Sequence, residues 1–252
     1  MRLDERRTIV IVLIAGVIGA VLFLPAVYFL GLWLAPPRPT PEASSAPPLL
    51  REALWARADG GRATELRPVN PVNFVGHRVC RALAIRYDDP RVRGEQRAEC
   101  LKSMPAVQGV DYLSTVYMQD NNVEPRSFRM AIGQFATAVW LTRSWTKDEF
   151  LNTLATRGDF GYGWRGIDAA ARGYFGRAAA DLTLPQAALI GSRIGDPATD
   201  PWCEPKAATG MRDRILTRMR ENGAISETAL QAASRSELGL APPPEGRPPC
   251  SK

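Results

Sequence analysis

The chain has 252 residues, a formal net charge of +6, 45% hydrophobic residues, four cysteines and a single histidine. One histidine, His77, and cysteines with no C-x-x-C spacing leave too few ligands for a zinc site, so no metal is expected. No cofactor is implied either. The basic balance suits an anionic membrane surface, a diphosphate or simply a solvated surface of dispersed arginines, since there is no run of five basic residues.

In chain order, the first feature is an apolar stretch. No charged residue stands between Arg7 and Arg38, and Ile9 to Ala35 is apolar almost throughout. That exceeds the roughly 20 residues needed to cross about 30 Å of hydrocarbon, and it is too long for the core of a cleavable signal peptide. Residues 8–35 are therefore expected to span the cytoplasmic membrane once, with 1–7 as a cytoplasmic tail. Arg2, Arg6 and Arg7 before the span orient the remainder outward. An outward domain behind a membrane anchor excludes nucleic acid as a partner. Residues 36–48 read as a Pro/Ser-rich linker, 49–240 as one domain and 241–252 as a Pro-rich tail. An even cysteine count in an exported domain favours disulfides; of the three possible pairings, Cys80 with Cys100 and Cys203 with Cys250 is the expected one, because the second gives the tail a reason to be ordered.

The exported part reads as helical. Residues from Asp88 to Gln108 carry no assignment, and Asp111 to Met118 is the one fair strand candidate, with an irregular loop as its alternative. Ile132, Phe135, Ala136, Val139 and Trp140 repeat at intervals of three and four, which predicts a helix over Phe128–Leu141. Further helices are expected over Lys147–Leu154 and Ile167–Phe175, then from a Thr183 cap through Ala188 and Ile190. Met211, Ile215, Leu216 and Met219 mark another, ending at Asn222 and Gly223, and Ser226 can cap a short helix through Leu230. Gly161, Gly163 and Gly166 spell G-x-G-x-x-G, but a helix pattern precedes them where a dinucleotide site needs a strand, so they are read as a tight turn.

From Thr146 onward the text T-K-D-E-F-L-N, then F-G-Y-G-W-R-G-I-D-A-A-A-R-G-Y-F-G-R, then D-L-T-L-P-Q-A-A-L-I-G resembles glycosyltransferase family 51, the transglycosylases that polymerise peptidoglycan glycan strands. Arg212, Leu216, Met219, Gly223 and Ile225 continue the resemblance, which spans about 80 residues in order. It implies a mainly α, lysozyme-like fold. It also implies a place in cell-wall synthesis, with the cytoplasmic membrane, a lipid-linked peptidoglycan precursor or glycan strand, and other cell-wall synthesis proteins as partners.

Upstream the chain departs from the family pattern. The glutamate that acts as general base falls on Ala58 when A-L-W-A-R-A-D is aligned, and on Asn70 when F-V-G-H sets the register. Asp59 and Glu65 are the nearest substitute carboxylates. Ser114, Thr115 and Gln119 keep part of the family's S-T-x-x-Q segment and are candidate substrate contacts. The second glutamate falls on Gln134, with Arg126 or Arg129 as the surviving cations for a diphosphate. A neutral side chain cannot take a proton from a sugar hydroxyl, and general base catalysis contributes about 10²- to 10⁴-fold. The expectation is a transglycosylase-like subunit that binds or scaffolds without polymerising; the alternative is an active polymerase with a rearranged site.

Overall fold

The computed structural model describes residues 22–23, 25–58, 61–84, 106–195, 199–247 and 250. The described residues are mainly helical, with an isolated bridge between Asp159 and Arg165 in place of any strand, which fits the expected fold class. The helices are α1 Pro48–Arg57, α2 Pro71–Ala84, α3 Val107–Asp120, α4 Phe128–Ser144, α5 Lys147–Arg157, α6 Ile167–Phe175, α7 Leu184–Arg193, α8 Pro205–Glu221 and α9 Glu227–Arg235, with a 3₁₀ turn at Ala179–Asp181.

The helix starts follow local chemistry. Thr146 and Glu149 close a capping box at α5: Thr146 Oγ1 accepts from Glu149 N at 3.2 Å, and Glu149 Oε2 accepts from Thr146 N at 2.7 Å. Ser127 caps α4 and Ser226 caps α9 through the same side-chain acceptance. At α7, Thr183 N donates to Gln186 Oε1 at 3.0 Å. α6 ends at Gly176, whose φ of 64° suits a residue without a Cβ. Gly161, Gly163 and Gly166 all have positive φ in the α5–α6 connection, as the tight-turn reading requires.

α7 is the centre of the packing: every residue from Gln186 to Arg193 is buried. Such a helix needs small residues where neighbours cross it. A Cβ on Gly191 would meet the Cβ of Ala53 at 2.8 Å and its carbonyl carbon at 3.0 Å, so α1 lies directly on α7. Ala53, Ala56, Ala188, Ile215, Leu216, Met219 and Ala233 then join α1, α7, α8 and α9 in one apolar cluster.

The expected strand or loop at Asp111–Met118 is a helix, α3. Its β-branched and aromatic residues favour a strand only weakly, and packing against α4 overrides that preference. The Ser114 and Thr115 hydroxyls donate to the carbonyls of Val110 at 2.7 Å and Asp111 at 2.8 Å, within the helix itself.

About half of the apolar stretch expected to span a membrane, residues 8–21 and 24, lies outside the described residues. Among those described, no helix is long and apolar enough to cross one. Its last part, residues 25–34, is helical and lies on α4, where a Cβ on Gly31 would stand 2.7 Å from the Ile132 carbonyl oxygen. The Pro/Ser-rich segment that follows is held to the domain. Arg129 Nε donates to Leu34 O at 2.8 Å, Tyr117 donates to the Pro37 carbonyl, Glu42 N to Thr153 Oγ1 at 2.9 Å and Ala46 N to Asn152 Oδ1 at 3.1 Å.

At the other end, Cys203 and Cys250 form the expected disulfide. Cys80 is also disulfide-bonded, and its expected partner Cys100 lies outside the described residues. Asp200 gathers this region: it accepts from Arg247 Nη1 at 2.7 Å and from the backbone of Trp202 and Cys203 at 2.9 and 3.2 Å. Burial alone would raise its pKa, but these donors and the Tyr162 hydroxyl hold it below the usual range. The same contact, after desolvation, raises the Tyr162 phenol.

Two arginines are fully buried, at 1% exposure each, and they differ. Arg212 gives Nη1 to Ser236 O and Nη2 to Ser234 O, closing the end of α9, and pairs with Asp213. Arg193 donates Nε to Tyr174 Oη at 3.1 Å, while its Nη1 and Nη2 have no hydrogen-bond partner among the described residues. An unpaired buried charge is costly and is relieved by an apolar residue of similar length. Arg193→Met is therefore expected to raise stability by about 1 to 3 kcal/mol in urea unfolding; a loss of stability would show that the guanidinium is satisfied in solution. For the disulfide, the 47-residue separation of Cys203 and Cys250 predicts a loss of about 4 kcal/mol when both are changed to serine. Thermal unfolding of this variant beside the wild type, both without reductant, checks it.

Candidate functional site

A groove of about 280 Å³ opens where α1, α3 and the end of α7 meet. α1 supplies Arg57 and Ala58, α3 supplies Gln108, Asp111, Tyr112 and Thr115, and Ile194 and Gly195 close the end. Gln108, Asp111, Tyr112 and Thr115 stand at i, i+3, i+4 and i+7, so one helix turns one polar face into the cavity. Gly109 brings the two walls together: a Cβ there would lie 2.8 Å from the Cβ of Ala58.

Behind this face sits Gln134, 4% exposed. Its Oε1 accepts from Arg78 Nη1 at 2.6 Å, and its Nε2 reaches Asp111 O and Oδ1, both at 3.2 Å, and also Thr115 Oγ1. Arg78 completes the ring with an ion pair to Asp111 at 3.4 Å. The amide thus joins a cation and an anion through its two ends, which a carboxylate at the same position could not do. At the other side, Tyr112 Oη accepts from Asp159 N at 2.8 Å, and a Cβ on Gly195 would lie 2.9 Å from the Tyr112 ring. Burial raises the Tyr112 pKa, so the phenol stays neutral at physiological pH.

The structure sorts the candidate residues. Ala58, 2% exposed, lines the groove, and Gln134 and Thr115 stand together beside it. Asn70 lies outside the cavity lining; it is exposed and accepts from Val72 N at 2.9 Å at the start of α2. Glu65 is exposed and away from the lining, and Asp59 lies outside the described residues. Ser114 is fully buried, with its hydroxyl committed to Val110 O. Gln119, Arg126 and Arg129 are exposed and none lines the groove; Arg126 has a φ of 64° in the turn before α4.

Residues 106–220, from the start of α3 into the last turn of α8, match the Transglycosylase family model. That segment, a little under half of the chain, matches the transglycosylase domain of glycosyltransferase family 51. The chain is 35% identical over 109 residues to penicillin-binding protein 1A of Pseudomonas aeruginosa, covering 43% of this chain and 13% of that protein. It is 31% identical over 116 residues to penicillin-binding protein 1F of Bacillus subtilis, at 46% and 16% coverage. With penicillin-binding protein 2D of the same organism the identity is 27% over 158 residues, at 62% and 23%. The chain thus spans less than a quarter of the length of these relatives. Gln134 falls inside the matched segment and Ala58 outside it.

Asp111, Tyr112, Gln108 and Arg57 line the groove and Arg78 stands behind it, and none of the five is marked by a sequence motif. The strand reading of 111–118 hides Asp111 and Tyr112, because alternation sends them to opposite faces, and Gln108 lies in the unassigned stretch before it. The geometry makes Gln134→Glu a test of the polar cluster. A second carboxylate within hydrogen-bond distance of Asp111 cannot ionise freely, so the variant is expected to lose about 1 to 2 kcal/mol of stability at pH 7. One carboxyl of the pair has a raised folded-state pKa, so the deficit should shrink as pH falls below about 5. Urea unfolding across pH checks this; a variant as stable as wild type at pH 7 would mean that Arg78 balances both acids.

Proposed function

We propose that this transglycosylase domain works in cell-wall peptidoglycan synthesis on the outer side of the cytoplasmic membrane, holding a glycan strand or lipid-linked precursor in the α1–α3 groove without polymerising it. The observation that supports it is the pairing of Ala58 in the groove wall with Gln134 behind it. The family resemblance sets its two glutamates at Ala58, or at Asn70 in the other register, and at Gln134; here the groove-lining side chain is a methyl and the other an amide tied at both ends. Without a positioned base the acceptor hydroxyl must lose its proton to water, which costs about 10²- to 10⁴-fold in rate, or roughly 3 to 5 kcal/mol of barrier. Hydroxyl-rich ligands still find acceptors and donors in Asp111, Thr115 and Gln108. Cell-wall synthesis proteins are the natural partners of such a subunit.

One observation favours a second reading, an active polymerase. Asp111 places a carboxylate in the groove lining, although Arg78 and Gln134 already engage it. Labelled lipid-linked disaccharide, given to the purified protein beside an active family member, separates the two. No glycan chains are expected from the wild type, nor from Ala58→Glu alone, because Gln134 would remain. Chains that appear with the wild type and vanish in Asp111→Asn, Asp59→Asn or Glu65→Gln would establish the polymerase instead.

A further inference from the structure

The connection between α5 and α6 holds a bulky residue where the backbone favours glycine. Phe160 N donates to Trp164 O at 3.1 Å and Trp164 N to Gly161 O at 2.9 Å, which closes a tight turn. At its tip Gly161, Tyr162 and Gly163 have φ of 98°, 56° and 73°. Glycine adopts these angles freely, whereas a tyrosine is strained by them. Such strain persists only where the surroundings over-determine it, and here they do. The Tyr162 ring lies 5.1 Å from that of Trp164 and 5.5 Å from that of Trp202, with the buried Tyr174 ring beside all three. Its hydroxyl is bonded to Asp200. Trp164 in turn lies on bare backbone of α6, since a Cβ on Gly173 would stand 2.4 Å from its ring.

Two rings of the cluster have a structural duty. Trp202 Nε1 donates to Ala241 O at 2.9 Å and Ala241 N donates to Tyr174 O at 2.8 Å, so both hold the C-terminal segment. Tyr162 holds no such segment, and its ring stays 37% exposed at the top of the cluster, with Trp164 and Trp202 half-buried below. The turn is rooted in the groove wall. Asp159 N donates to Tyr112 Oη at 2.8 Å, and Asp159 O accepts from Gly195 N at 3.4 Å; Tyr112 and Gly195 both line the groove. The three residues from Asp159 to Tyr162 reach at most about 11 Å, a gap that a short oligosaccharide spans.

We propose that Tyr162, backed by Trp164 and Trp202, is an aromatic platform that stacks on one sugar ring of a glycan chain whose other rings lie in the groove. The proposal extends the reading of the groove as a glycan site and rests on it. One face of a pyranose presents only C–H groups, whose partial positive charge suits the negative face of an aromatic ring, while the hydroxyls at its edge stay in water. The cluster offers ring faces more than donors, since the Tyr162 hydroxyl and Trp202 Nε1 are already engaged. A proline-rich peptide on the same rings would have to bury backbone carbonyls that these two donors cannot serve.

Calorimetric titration of the full chain in detergent with chitobiose and chitohexaose tests it. The wild type is expected to bind the longer chain about tenfold more tightly. Tyr162→Asn, which removes the ring and tolerates the left-handed backbone, should cut that preference to about twofold or less and leave chitobiose binding unchanged. Tyr162→Phe keeps the ring, loses only the bond to Asp200, and should keep the preference. Thr115→Val in the groove reports separately: it should weaken both sugars alike. If Thr115→Val has no effect while Tyr162→Asn still removes the preference, the groove reading fails and the platform stands. A wild type without length preference, or a preference that survives in Tyr162→Asn, overturns the platform and leaves the groove untouched. Decaproline binding that Tyr162→Asn abolishes, with no effect of that variant on chitohexaose, assigns the rings to a peptide and also overturns it.

Discussion

A helix buried on every side is the constraint from which the rest of this domain follows. α7 exposes almost nothing from Gln186 to Arg193, so each neighbour must approach its backbone closely, and only small residues permit that. Gly191 against Ala53 fixes α1, Ala188 joins the cluster that fixes α8 and α9, and the chain leaving α7 at Ile194 and Gly195 ends against the groove. The groove is therefore built at one end of a helix that is buried along most of its length. Displacing α1 by even a methyl group would move Ala58 and Arg57 together, since both sit on the turn that α7 positions.

The groove shows how a charge can be moved without being lost. Arg78 and Asp111 form a neutral pair, and Gln134 satisfies each of them with the end of its amide that suits it. A glutamate at 134 would leave two anions facing one cation. The amide is thus what allows a carboxylate to stand on α3. Gln134 on α4 and Asp111 on α3 form one arrangement, with the acid on the helix that lines the groove and the amide on the helix behind it. Tyr112 and Gly195 close the opposite wall with a neutral phenol packed on bare backbone.

Much of the helical frame was legible because its signals are local. The caps at Thr183 and Ser226 act within one turn of themselves, and the Ile132 to Trp140 stripe repeats at the helical period. α1 left no such trace. Leu50 and the run from Ala53 to Ala56 are buried on several sides at once, so burial there has no period to detect. α3 misled for a different reason: its valines and tyrosines have the shapes strands favour, and only contact with α4 decides the outcome. That one misreading concealed the site, since Gln108, Asp111, Tyr112 and Thr115 form a face only at helical spacing. The sequence directs attention to Ala58, with Asn70 as its alternative, and to Gln134, whereas Arg57 and Arg78 reach the same region from helices far from Asp111 in the chain.

The segment leading into the domain has a mechanical consequence. Residues 34–46 are tied to α3, α4 and α5 by backbone and side-chain bonds from Leu34 O to Ala46 N, and Arg157 grips Glu42 at 2.7 Å. A proline- and serine-rich stretch of this length, left loose, would act as a swivel and let the domain sample many heights and tilts. Here it is a bracket. Whatever holds the chain ahead of residue 25 also sets the orientation of the groove, so a ligand arriving from that direction meets an opening at a fixed distance and angle.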